Sequence, residues 1–205
     1  MARIGRALVL LLLVVGLGFW ASTWWREQAA PPNSAGGVAV PGGVRIGGHF
    51  TLVAPDGRTV TDADFRGKVM LVYFGYTFCP DVCPTELQAV AASLALLGDD
   101  AARVAPLFVT IDPERDTPKA MGEYTQLFDD RILGLTGSAE QIAAAAKAYR
   151  VYYARADAKG ASTYLMDHSS FIYVMGPDGS FRALIKPGAK PAEIADILRG
   201  QLPHS

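Results

Sequence analysis

The chain has few residues that bind soft metals or form cross-links. Its 205 residues include two cysteines and three histidines. At most one internal disulfide can form, so no disulfide framework holds the fold. Charge is scarce too: 19% of residues are charged and the formal net charge is -1. No basic surface points to nucleic acid, and no acidic or basic tail is present. No segment repeats, which sets aside solenoids and propellers. Proline is missing from Lys119 through Gly176.

One stretch has no charge at all. Ala7 to Trp25, "ALVLLLLVVGLGFWASTWW", follows Arg3 and Arg6. A helix needs about 20 apolar residues to cross a bilayer. Trp20, Trp24 and Trp25 suit the far interfacial belt, and the two arginines place the N-terminus in the cytoplasm. A cleaved signal peptide is the competing reading. The run is long for one, and no clear A-x-A site follows it at once. It also lacks the Arg-rich and Ser-rich character of a transit peptide. The expected location is a bacterial inner membrane, with one span and a periplasmic domain. Residues 27–43 are rich in Pro, Gly, Ala and Ser and read as a flexible tether. The expected division is an N-terminus and anchor at 1–26, the tether at 27–43 and one folded domain at 44–205.

Within that domain "FTLVAPDGRTVT" alternates around Pro55-Asp56-Gly57 and predicts a hairpin. "KVMLVYFGY", Lys68 to Tyr76, is nearly all apolar and predicts a strand buried on both faces. A helix is predicted from about Thr85, with Leu87, Val90, Leu94 and Leu97 at helical spacing. Val104 to Asp112 predicts a second buried strand. Thr117-Pro118 opens a helix, and Ser138 with Gln141 forms a capping box for another. "FIYVM" and "FRALI" flank Gly176-Pro177-Asp178-Gly179 as a second hairpin. Lys190-Pro191 opens a terminal helix. This order predicts an α/β fold: a thioredoxin-like central mixed sheet flanked by helices, with an N-terminal β-hairpin extension. Open α/β sheets place ligands at the C-terminal ends of their strands.

Both cysteines lie there, in "GYTFCPDVCPTEL". Cys79 and Cys83 fall between a buried strand and a helix N-terminus, where the helix dipole favours thiolate. Pro80 and Pro84 restrict the loop. Three readings compete. A structural disulfide would enclose little chain and constrain the unfolded state weakly. A redox dithiol suits a non-cytoplasmic compartment. A metal site would use two soft sulfurs on one ion.

A third donor separates the last two. His49 and His204 read as surface or packing residues near the domain's ends. His168 lies in "YLMDHSSFIYV", just before the first strand of the C-terminal hairpin. In a thioredoxin-like sheet the loop before that strand faces the dithiol loop. Thioredoxin proteins carry a cis-proline there, and this chain has none. Two thiolates and an imidazole suit Cu(I), and can also hold Cu(II) or zinc. Structural zinc usually takes four protein ligands, so copper fits better. Asp167 is a candidate to orient the imidazole ring, and capping a turn explains it equally well.

These residues resemble the Sco family. The resemblance rests on "GYTFCPDVCP", on "IDPERDTP" from Ile111 to Pro118, and on "DHSS" with the apolar strand after it. It implies one copper bound by Cys79, Cys83 and His168. It also implies a role in assembling the CuA centre of cytochrome c oxidase. The expected partner is that enzyme's copper-bearing subunit, beside another periplasmic copper chaperone or a thiol reductase. Copper delivery and reduction of the acceptor's cysteines both remain open.

Softer signals surround this set. Asp112, Arg115 and Asp116 end the second buried strand and are candidates for partner docking or for tuning the site. A salt-bridged turn explains them equally well. Phe74, Tyr76 and Phe78 read as core, with metal shielding the alternative. Met166 reads as core rather than as a soft ligand. A peroxidase would need an electropositive pocket around its cysteine; no arginine flanks Cys79 in sequence, and Arg115 is the candidate to approach it from elsewhere in the chain.

Overall fold

The computed structural model describes residues 45–156 and 164–202. The expected anchor, tether and His204 lie outside these residues. Among the described residues no helix is long and apolar enough to cross a membrane.

The first element of the described residues is the predicted hairpin, β1 (Thr51–Val53) against β2 (Thr59–Thr61). A short 3-10 turn, Asp62–Phe65, leads to β3 (Val69–Gly75), buried along its whole length. Helix α1 (Val82–Leu97) follows, then β4 (Val104–Thr110), also buried throughout. Helix α2 (Pro118–Gln126) starts as expected, with Thr117 Oγ1 accepting from the Ala120 amide. β5 (Leu133–Leu135) and α3 (Ala139–Tyr149) come next, and α3 carries the Ser138–Gln141 capping box. Strands β6 (Tyr153–Ala156) and β7 (Leu165–His168) pair with each other. β8 (Ile172–Met175), β9 (Phe181–Ile185) and α4 (Pro191–Arg199) complete the domain.

Five strands form the central sheet in the order β5-β4-β3-β8-β9. β3, β4 and β5 run parallel, β8 runs antiparallel to β3, and β9 turns back antiparallel to β8. This is the mixed, thioredoxin-like sheet that the element order predicted. Both faces are covered because neighbouring β3 residues point opposite ways. Tyr73 lies on the side of Cys83 and α1, whereas Phe74 packs against Tyr149 of α3 at 5.4 Å. On α1, Leu87, Val90, Leu94 and Leu97 are buried as their spacing required. Each fully buried Leu or Val contributes about 1.5–3 kcal/mol.

Two elements differ from expectation. Helix α1 begins three residues earlier than Thr85, so Cys83 and Pro84 lie in its first turn. Proline is tolerated there because its missing N–H has no helical partner anyway. His168, expected in a loop, ends strand β7 and pairs with Tyr153. β6 and β7 form a separate two-stranded arm outside the central sheet.

Candidate metal centre

The C-terminal end of β3 delivers the chain to Cys79, and α1 starts three residues later. Asp81 makes no side-chain cap for that helix. The Cys79 sulfur accepts the Cys83 amide N–H instead, at 3.4 Å. A helix N-terminus has unpaired amides and a positive dipole end, and a thiolate satisfies both. Cys79 therefore starts the helix and draws on its field.

The two sulfurs differ. The Cys83 thiol donates to Cys79 and is the largest influence on it. With smaller help from His168 and local amides, and against the cost of burial, it brings the Cys79 thiol down from 9.0 to about 4. Cys83 moves the other way, because donating to the Cys79 sulfur and full burial both hold its proton. In the metal-free protein one thiolate and one thiol share the site.

The arm brings in the third donor. His168 Nε2 lies 3.7 Å from the Cys83 sulfur. One donor atom from each of Cys79, Cys83 and His168 falls within 4.8 Å of the others. Among the described residues this is the one such cluster of His, Cys, Asp and Glu that could hold a metal. The Tyr76 ring meets the imidazole edge-on at 6.1 Å, and Tyr73 lies 6.4 Å away. His168 Nδ1 lies 3.1 Å from the Ser169 carbonyl oxygen. A proton donated there leaves Nε2 as a lone-pair donor facing the sulfurs. Asp167 was expected in that role, but adjacent strand residues point to opposite faces, and Asp167 is exposed. The chain's own carbonyl carries the contact, which sequence spacing does not show.

Space for Cys83 depends on one glycine. A Cβ on Gly75 would stand 2.8 Å from the Cys83 sulfur and 2.7 Å from the Phe108 ring. Gly75→Ala should push the sulfur out of place. Metal affinity should fall by about ten- to a hundredfold, as when a supporting contact is lost. Competition with a chromophoric chelator measures this.

The remaining expectations divide. Asp116 is fully buried and accepts from the Thr77 amide at 3.1 Å, the Thr77 hydroxyl at 2.5 Å and the Thr110 hydroxyl at 2.6 Å. It braces the cysteine loop from below, and burial raises its carboxyl despite those donors. Asp112 pairs with Arg115 at 2.5 Å. Phe74 and Tyr76 are core residues, as read, but Phe78 is 54% exposed, with the Arg115 guanidinium 4.5 Å above its ring. Met166 packs partly against the core. A pocket of about 280 Å³ opens over Cys79, Pro80, Met166 and His168. A larger cleft of about 800 Å³ lies beside Met70, at the far end of β3, and none of the three donors lines it.

The chain matches the family described as SCO1/SenC over residues 39–202. It is 45% identical over 152 residues to the protein SenC of Rhodobacter capsulatus, covering 74% of this chain and 68% of that one. It is also 45% identical over 154 residues to the mitochondrial SCO2 homolog of Bos taurus, covering 74% of this chain but 58% of that relative's length. Among solved structures, Bradyrhizobium japonicum ScoI with copper bound is 41% identical, with a TM-score of 0.72, covering 77% of this chain and 99% of that one. The family match takes in Cys79, Cys83 and His168, and the chain belongs to the SCO1/SenC family.

Proposed function

We propose that this protein is a membrane-anchored copper metallochaperone. It holds one copper ion through Cys79, Cys83 and His168 and serves assembly of the CuA centre of cytochrome c oxidase. The observation that carries the reading is the meeting of three soft donors within 4.8 Å, drawn from two elements far apart in sequence. Two sulfurs and one imidazole nitrogen suit Cu(I), and a similar solved structure is described with copper bound.

Three ligands leave copper open to a fourth. A thiolate of the acceptor attacks the ion through the pocket over Cys79, and copper passes by ligand exchange. Residues 1–26 hold the domain at the bacterial inner membrane, on the periplasmic side. Residues 27–43 let it reach the copper-bearing subunit of the oxidase. Tethering raises the effective concentration of donor at acceptor. The test is copper content of the full-length chain purified from copper-supplemented cells. The wild-type chain should carry about one copper, and His168→Ala should carry much less. Equal content would contradict the ligand set.

A second reading makes the pair a thiol-disulfide reductase for the acceptor's cysteines. It draws on the two sulfurs lying within 4.8 Å of each other, both free. The depressed Cys79 thiol argues against it, since a stabilised thiolate stabilises the reduced pair and makes it a poor reductant. Turnover of a partner disulfide without copper, unaffected by His168→Ala, would favour the reductase.

A further inference from the structure

The arm that carries His168 is gripped most densely around Tyr164, while Tyr153 and Met166 also pack against the core. Its strands hydrogen-bond to each other and not to the central sheet. Tyr164, just before β7, donates its hydroxyl to Asp112 at 2.8 Å. Its carbonyl accepts from Arg115 Nη1 at 3.1 Å. Its ring lies 3.7 Å from the Arg115 guanidinium and 3.7 Å from that of Arg155. The Met166 amide donates to the Tyr76 hydroxyl at 3.2 Å. Arg115 also stacks on Phe78, the residue before Cys79, and its Nε donates to Asp112. Its side chain is only 15% exposed. One guanidinium thus touches both the segment carrying Cys79 and the arm carrying His168.

We infer that Arg115, Asp112 and Tyr164 form a latch that sets the reach of His168 to the cysteines, and so the rate at which the bound metal leaves. The inference rests on the copper reading above. The three are positioning residues, because none of them is a donor to the ion. A planar guanidinium suits this place: it stacks on two rings while its N–H groups serve a carboxylate and a carbonyl. With the latch closed, three donors hold the ion. With it open, the arm lifts, two sulfurs remain, and an incoming thiolate meets a less crowded metal. A partner that draws Phe78 or Arg115 onto its own surface would open the latch on docking.

The test uses the full-length chain loaded with Cu(I) and follows copper transfer to a chromophoric Cu(I) chelator. Arg115→Ala should speed transfer by about ten- to a hundredfold, the range for loss of a ligand's supporting contacts. His168→Ala should speed it at least as much. Adding Arg115→Ala to His168→Ala should change nothing further, because the latch acts through the imidazole. In the metal-free protein, Arg115→Ala should also quicken hydrogen exchange across residues 165–168 and leave β3 unchanged. Tyr164→Phe removes only the hydroxyl contact and should shift both readouts the same way. It decides the matter if Arg115→Ala fails to fold. Wild-type transfer in the latch variants beside fast transfer in His168→Ala overturns the latch alone. Effects that multiply in the double variant also overturn it. Wild-type transfer in His168→Ala overturns the ligand set, and the latch with it.

Discussion

Iodoacetamide should label Cys79 of the metal-free protein at a rate that barely changes between pH 6 and pH 8. The Cys79 thiol titrates at about 4, so across that range it is already thiolate. A cysteine that titrates at 9.0 gains about tenfold in thiolate with each pH unit, roughly a hundredfold over the same span. At pH 6 it is ionised to about one part in a thousand. The advantage in rate is smaller than that ratio. A low pKa weakens the nucleophile by a Brønsted factor of about 0.4–0.5, or two to two and a half log units across this shift. Cys79 should therefore react only about three- to tenfold faster than an ordinary thiol at pH 6. The flat profile is the signature, more than the speed. Below pH 4 protonation should suppress labelling. Cys83, fully buried and holding its proton, should remain unlabelled in the native state. Mass spectrometry of the labelled peptide, with rates taken at several pH values, checks all of this.

Cys83→Ala should abolish tight copper binding and change the chemistry of Cys79 at once. Loss of a sulfur from the metal's own coordination should cost well over the roughly 10–100-fold that a supporting contact costs. The same substitution removes the thiol that donates to Cys79, the largest influence on its ionisation. The Cys79 pKa must then rise, and its alkylation rate should begin to climb with pH between 6 and 8. Chelator competition measures the first effect and the labelling profile the second. Wild-type affinity in Cys83→Ala would remove this residue from the site. A flat profile in the variant would show that the helix N-terminus alone sustains the thiolate.

Much of this was legible because the sequence states it locally. The buried strands are unbroken apolar runs, and α2, α3 and α4 start at Thr117-Pro118, Ser138 and Lys190-Pro191 as local chemistry requires. The three donors were legible from residue type and their place in the element order. What was missed depends on contacts between distant residues. The start of α1 was hidden because its cap is a sulfur, Cys79, and not an oxygen side chain. β5 is three residues long, too short for any period to show. The arm was missed because its strands are four residues long and only half-buried, with no clear alternation, and are gripped by Tyr164 and Arg115 across 49 residues. Asp167 looked like the partner of His168 because it is adjacent in sequence. Strand alternation turns it outward, and Ser169 supplies the contact through its backbone.

X-ray absorption at the copper edge, on the loaded full-length chain and on His168→Ala, reads the coordination shell itself. At about one copper per chain, the wild-type ion should have two sulfurs and one nitrogen around it, and the shell should lose the nitrogen in His168→Ala. A shell without sulfur, or identical spectra for the two proteins, would contradict it.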